Sequence, residues 1–291
     1  MKVRTRRVRW LLAQTGAARG GDWSEREAII VAVDDGGATG LGEAAPLPGM
    51  SRDTILDAER ALAEAASGQR LAASAGSSPS ARFAIETALA VVRAQRERTS
   101  VARLLGGEHV VPAVTVVDDA CDVTTPIVKI KVGAAPFGDD LARMQRIAAA
   151  APGAPIRVDA NRRWPRGEAL ARLAMTSDAL GARLQYVEEP CEGAHELLER
   201  DLPCALALDE SLVALAPGDV AAARSPDLAA ALRSPHLAAL VLKPTLLGGF
   251  ARCLELAALA RAHGKLAVVT HALEGPVGRA ACAELAKAVG P

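Results

Sequence analysis

From Val110 onward, short apolar runs alternate with longer stretches of mixed polarity. The runs near Ala113–Val117, Ile127–Val132, Ile156–Val158, Leu184–Val187, Ala205–Leu208, Ala239–Leu242 and Leu266–Thr270 read as strands. The stretches Asp139–Ala150, Gly167–Leu173, Phe250–His263 and Pro276–Val289 read as helices. Such alternation predicts parallel strands joined by right-handed crossovers. The segment before it is different. Glu27–Val33 reads as a strand followed by the turn Asp34-Asp35-Gly36-Gly37, and Leu41-Gly42-Glu43 leads into a loop, Ala44–Met50. Helices are expected from Ser51, as cap, to about Ala66, and from Ala81 to Arg98, with a small-residue loop at Ala72–Ser80 between them. The fold class expected is α/β: a modified (β/α) barrel over residues 109–291, preceded by an α+β capping domain over 1–108. Seven barrel strands are counted, and no sequence is left for an eighth before Pro291.

Five of the apolar runs end in charge. They are Ile127-Val128-Lys129-Ile130-Lys131, Ile156-Arg157-Val158-Asp159, Leu184-Gln185-Tyr186-Val187-Glu188, Leu206-Ala207-Leu208-Asp209 and Leu240-Val241-Leu242-Lys243. A buried unpaired ion is costly, so a series of such endings suggests one polar site at the strand termini. In a (β/α)₈ barrel the active site lies at the C-terminal strand ends, and the fold needs roughly 30 residues per unit. The endings at 159, 188, 209 and 243 are 29, 21 and 34 residues apart. An open doubly wound sheet would gather its ligand at one switch point instead.

Asp159, Glu188 and Asp209 then converge as three carboxylates with no Cys or His among them. That donor set suits a hard divalent ion: Mg²⁺, with Mn²⁺ as the alternative. Glu188 is read as facing the centre and Glu189 as part of the turn before Pro190, because neighbours on a strand point opposite ways. Lys129 and Lys131 share a face, and two neighbouring ammonium groups are expected to lower each other's pKa. Other readings stay open: the acids as helix caps or salt-bridge partners, and the lysines as a solvated edge strand. A metal flanked by cationic side chains suits proton removal next to a carboxylate.

Balanced charge, with Lys+Arg 34 against Asp+Glu 34, and an aromatic content of 2% argue against nucleic-acid and anionic-membrane partners. Five cysteines with no C-x-x-C pair fit a reducing compartment, and no signal peptide or bilayer-spanning run is recognised, so the cytoplasm is expected. The expected partner is a small-molecule carboxylate. Gly16–Trp23 reads as a lid or a hairpin tip.

These motifs resemble the enolase superfamily, in its lysine-type, muconate lactonizing enzyme-like branch. Lys129-Ile130-Lys131 looks like its K-x-K motif, and Asp159-Ala160-Asn161, Glu188-Glu189-Pro190 and Asp209-Glu210-Ser211 look like its three metal-ligand motifs. Lys243-Pro244 resembles its lysine on strand six, and Gly42–Gly49 its capping loop. Within the branch, the segments look most like the o-succinylbenzoate synthase family of the menaquinone pathway. The resemblance implies Lys131 as acid/base, Lys243 as the opposing charge, Lys129 as a tuning residue, and Asp159, Glu188 and Asp209 as Mg²⁺ ligands. It further implies Asn161, Met50, Thr270 and His271 as substrate-binding residues. N-succinylamino acid racemisation, dipeptide epimerisation and a non-catalytic binding role are the alternatives. A His271 base is disfavoured because strand six offers Lys243 and no orienting carboxylate.

Overall fold

The computed structural model describes residues 1–18, 21–67, 78–117, 126–216 and 221–290; of residues 13–23 only the backbone is described. Three antiparallel strands open the chain: β1 (Lys2–Ala18), β2 (Gly21–Asp35) and β3 (Ala38–Ala44), in the order β1-β2-β3. The segment Gly16–Trp23 is therefore two paired hairpin arms, with Gly16 opposite Trp23, and its tip lies outside the described residues. Two helices follow, α1 (Ile55–Ser67) and α2 (Pro79–Glu97). Ile29, Val31 and Val33 of β2 pack on Ala58, Leu62, Ala84, Ile85 and Ala88 of these helices and form the cap's own core.

Two capping details differ from the sequence expectation. Ser51 is spent on a loop, where its hydroxyl accepts from Leu47 N–H at 2.7 Å, and Thr54 accepts from Asp57 N–H at 3.2 Å at the start of α1. The second helix starts at Pro79, capped by Ser78, because proline is well suited to the first helical position. Most of the expected Ala72–Ser80 loop lies outside the described residues.

β3 lies almost flat on α2, and its glycines permit this. A Cβ at Gly42 would come 1.8 Å from the Ala84 carbonyl oxygen, and one at Gly40 1.9 Å from that of Ala88. Backbone cannot yield as a side-chain tip can. Gly42→Ala is therefore expected to destabilise the protein by about 1–3 kcal/mol, read from urea unfolding; an unchanged midpoint would mean the strand and helix separate freely.

After a one-turn helix, α3 (Val101–Leu104), the second sheet begins. Its strands are β4 (Val114–Val116), β5 (Ile127–Lys131), β6 (Ile156–Asp159), β7 (Leu184–Glu188), β8 (Leu206–Leu208), β9 (Leu237–Leu242) and β10 (Leu266–Val269). All pairs are parallel, in the order β10-β9-β8-β7-β6-β5-β4, and the sheet curls into an open half-barrel with β4 and β10 at its ends. The connecting helices are α4 (Phe137–Ala150), α5 (Ala169–Leu180), α6 (Glu210–Leu215), α7 (Pro226–Arg233), α8 (Pro244–Leu247), α9 (Phe250–Ala262) and α10 (Pro276–Val289).

The two-residue period of the strands sorts their side chains. Val128, Ile130, Val158, Val187, Leu206, Leu208, Leu240 and Leu242 join the large core shared with the helices. Tyr186, Ala207, Ala239 and Val241 form a smaller inner cluster. The same parity puts Lys129, Lys131, Asp159, Glu188, Asp209 and Lys243 on the inner side. Cys191, Cys253 and Cys282 are free thiols buried in the large core, as expected of small fillers, and Cys121 lies outside the described residues. Among the described residues, no helix is long and apolar enough to cross a membrane.

Candidate active site

Register brings the charged strand ends to one level. Lys131 pairs with Asp159, and Asp159 with Glu188. Lys129 Nζ lies 2.9 Å from Asp159 Oδ2 and 2.8 Å from Glu188 Oε2. Lys131 Nζ lies 3.5 Å from Asp159 Oδ2 and donates to Asn161 Oδ1 at 3.2 Å. Lys243 Nζ is paired with Asp209 Oδ2. Along the sheet, lysines from β5 and from the end of β9 thus flank acids from β6, β7 and the end of β8. The acids are buried, and the Lys131 side chain is 46% exposed, which leaves its amine open at the mouth.

Burial pushes Glu188 up to about 8 and Asp209 up to about 6, with neighbouring acids adding to both shifts. Burial would raise Asp159 too, but Lys129 and Lys131 outweigh it and hold Asp159 below the usual carboxylate range. Lys129 corrects the expectation of mutually lowered lysines. Its burial lowers the pKa, yet Glu188 and Asp159 overcome that and keep the ammonium strongly charged.

Asp159, Glu188, Asp209 and the half-buried Glu210 face Lys129, Lys131 and Lys243. An all-oxygen donor set fits a hard divalent cation, whose charge would favour the ionised forms of Glu188 and Asp209. As the side chains stand, ammonium groups occupy the carboxylates, and among the described residues no three His, Cys, Asp or Glu side chains are gathered around a single point as a metal would need. An ion held here would share these oxygens with Lys129 and Lys243.

Glu189 is the residue that strand parity undervalued. It is fully buried, with backbone φ of 40°. One carboxylate oxygen accepts from Asp209 N–H at 2.9 Å and Ser211 N–H at 2.7 Å. The other accepts from Ser211 Oγ and Arg162 Nε, both at 2.9 Å. Glu189 therefore fixes the backbone that carries Asp209. Its acidic type beside Glu188 was the visible signal, but nothing local identified its partners. Asn161, at φ 43°, donates its own N–H to Asp159 Oδ1 at 3.0 Å and orients that carboxylate.

Met50 sits in the cap loop, in an apolar cluster with Leu47, Leu246 and Ala272. It also lines a cavity of about 420 Å³ with Arg52, Arg162, Glu210, Val213 and Leu246. Thr270 and His271 do not line that cavity; they follow β10, where Thr270 N–H donates to Leu242 O at 3.0 Å. His271 has a carboxylate nearer than the sequence suggested: Glu274 Oε2 lies 3.9 Å from its Nδ1. Leu273 N–H donates to Nδ1 at 3.2 Å, so the proton of the neutral ring belongs on Nε2. Burial lowers the pKa of the ring, and this outweighs Glu274.

Residues 113–291 match the family model "Enolase C-terminal domain-like", and residues 14–92 match "MenC, N-terminal domain". The chain is 31% identical over 279 residues to the o-succinylbenzoate synthase of Yersinia enterocolitica, covering 90% of this chain and 78% of the relative. It is 31% identical over 284 residues to that of Pasteurella multocida, covering 92% and 80%. Among solved structures, the L-Ala-D/L-Glu epimerase from Bacillus subtilis superposes with a TM-score of 0.78 at 25% identity, covering 99% of this chain and 87% of that one. The Mg-complexed o-succinylbenzoate synthase from Thermosynechococcus elongatus has the same fold, with a TM-score of 0.76 at 22% identity, 99% and 90% covered.

Proposed function

Because the chain belongs to the enolase superfamily, among its o-succinylbenzoate synthase-like lyases, we propose that it dehydrates a hydroxylated, succinyl-bearing cyclohexadiene carboxylate to o-succinylbenzoate, a step of menaquinone biosynthesis. The chain is an enzyme, which sets the non-catalytic reading aside. The observation that carries the proposal is the flanking of three buried carboxylates by Lys131 on one side and Lys243 on the other.

In this reading Lys131, as its free amine, takes the proton from the carbon next to the substrate carboxylate. The C–H electron pair passes into the carboxylate, giving an enediolate. The Lys243 ammonium, largely withdrawn from solvent, faces that developing charge, and a fixed charge acts most strongly where water is excluded. The Lys131 ammonium then returns its proton to the departing hydroxyl. The C–O bond breaks, water leaves, and the ring becomes aromatic. Asp159, Glu188 and Asp209 would hold Mg²⁺, which when bound supplies a fixed positive charge beside the substrate carboxylate. Lys129 holds two of the three ligands in place, and Asn161 orients the first.

Chelation with EDTA is expected to abolish turnover, and Mg²⁺ to restore it. At roughly 100 times its Kd, bound Mg²⁺ should add about 2.7 kcal/mol of stability, seen as a rise in Tm. A Tm indifferent to millimolar Mg²⁺ would remove the acids from the metal role.

Epimerisation is the second reading, favoured by the likeness to the Bacillus subtilis epimerase. Two opposed lysines can remove a proton from one face of a carbon and return it to the other. The purified enzyme should be assayed with the cyclohexadiene acid, N-succinylamino acids and dipeptides. Turnover of the first supports dehydration; turnover of the others alone overturns it.

A further inference from the structure

Away from the lysines, one cation and two carboxylates are buried where the cap meets the barrel. Arg26, on β2, is 2% exposed. Its guanidinium donates to the carbonyls of Ala45 at 2.8 Å and Pro46 at 3.0 Å, and to those of Leu273 at 3.3 Å and Ala272 at 3.4 Å. The first pair belongs to the cap loop that carries Met50, and the second to the segment that carries Thr270 and His271.

Glu43, on β3, reinforces the same joint. It is 1% exposed, and its carboxylate accepts from Gly275 N–H at 2.6 Å and Gly278 N–H at 2.8 Å, in the first turn of α10. A Cβ at Gly275 would approach Glu43 Oε1 to 3.0 Å, so glycine there lets the carboxylate sit close to the backbone. Glu274, 4% exposed, accepts from Ala272 N–H within the same segment. The attraction of Glu43 and Glu274 for Arg26 opposes the cost of burying its charge. Leu273, held by Arg26 through its carbonyl, has φ of 60°, a left-handed conformation that a leucine keeps only under external restraint.

The ordinary role for such a cluster is to hold two units together. Here, however, two of the carbonyls lie on the loop whose Met50 lines the cavity with Glu210, and two on the segment whose His271 ring feels the charges of Lys243 and Lys131, and residues 26 and 43 bridge the two from outside. Leu47, Leu246 and Ala272 close the apolar wall between those loops.

We infer that Arg26 and Glu43 are positioning residues for substrate binding: they lock the Ala45–Met50 loop and the Thr270–Gly275 segment to each other, and so fix where those two segments meet the substrate without touching the reacting atoms. The inference rests on the reading of the lysine site as the place of turnover. A misplacement of about 1 Å at a positioning group can cost up to 10²-fold, here felt in binding.

The test uses Arg26→Lys and Glu43→Gln in the full-length enzyme. Lysine keeps the charge but cannot reach four carbonyls, and glutamine sets an amide N–H against a backbone N–H. Each folded variant should raise KM about tenfold while kcat stays within about threefold and Mg²⁺ affinity is unchanged. The double variant should fall short of the product of the two effects, since both act on one joint. Amide exchange should quicken in both loops together and stay unchanged in β5–β9. A cluster that is only structural would lower Tm and leave the KM of the folded fraction as in wild type. Wild-type KM in both variants, or faster exchange confined to one loop, overturns the inference. If wild-type enzyme turns over none of the assayed acids, the functional reading fails, and the paired exchange of the two loops still decides for or against the lock.

Discussion

Lys131→Ala lowers kcat/KM by about 10²–10⁴-fold, the usual cost of a lost acid/base, and leaves the fold intact. The two halves of this expectation have separate causes. Lys131 is the lysine most open to the mouth, with its amine 3.2 Å from Asn161 Oδ1 and 3.5 Å from Asp159 Oδ2. Removing it abolishes the group that takes the proton. Its ion pair with Asp159 is half exposed and long, and such pairs contribute little, about 0–1 kcal/mol. Asp159 also keeps Lys129 at 2.9 Å, so no buried charge is stranded. Single-turnover kinetics together with urea unfolding check both halves. Lys131→Arg separates proton transfer from charge: it keeps a cation that does not titrate near neutrality, and it should remain as inactive as the alanine variant. Activity within about tenfold of wild type in Lys131→Ala contradicts the assigned role.

Glu189→Ala destabilises the enzyme by about 3–5 kcal/mol and inactivates it as well, although Glu189 is not expected to touch substrate or metal. Its carboxylate is the acceptor for Asp209 N–H, Ser211 N–H, Ser211 Oγ and Arg162 Nε. Alanine removes the shared acceptor of all four donors in a buried place, and it leaves the Arg162 guanidinium with Ser211 Oγ at 3.1 Å and the more exposed Glu192 at 3.5 Å. The activity falls because Asp209, the partner of Lys243, loses the backbone anchor that sets its position. Urea unfolding with linear extrapolation gives the first number, and activity measured at low denaturant gives the second. A loss below about 1 kcal/mol would show that water replaces the carboxylate, and the anchoring role would be withdrawn.

The adjacent glutamates illustrate how far a local pattern reads. Strand alternation assigned opposite directions to Glu188 and Glu189, and Glu188 indeed lies against Lys129 on the inner side. Alternation was silent on where Glu189 goes. Its partners are Asp209, just after β8, Ser211 in α6, and Arg162, and they meet it only after β6, β7 and β8 align. Ser51 shows the same limit on a smaller scale. Its type and position suited a helix cap, but the turn at Leu47, with Met50 N–H donating to Leu47 O at 3.0 Å, took its hydroxyl first. For Lys129 the expected lowering of pKa failed for a related reason. Two lysines two residues apart do repel, but Lys129 sits between Asp159 and Glu188, and their attraction is larger.

The chain alone determined which side chains share the inner face. That follows from a two-residue period and a run of apolar neighbours, properties of the backbone within five or six residues. It also determined the order lysine, acid, acid, acid, lysine, since consecutive βα units place consecutive strands side by side. Which lysine meets which acid was decided by inter-strand register, across 59 residues for Lys129 and Glu188 and 34 for Lys243 and Asp209. The joint between cap and barrel, spanning 232 residues from Glu43 to Gly275, was decided by docking of separate hydrophobic cores. Such pairings are set by the geometry of packed elements, and no periodicity along the chain encodes them.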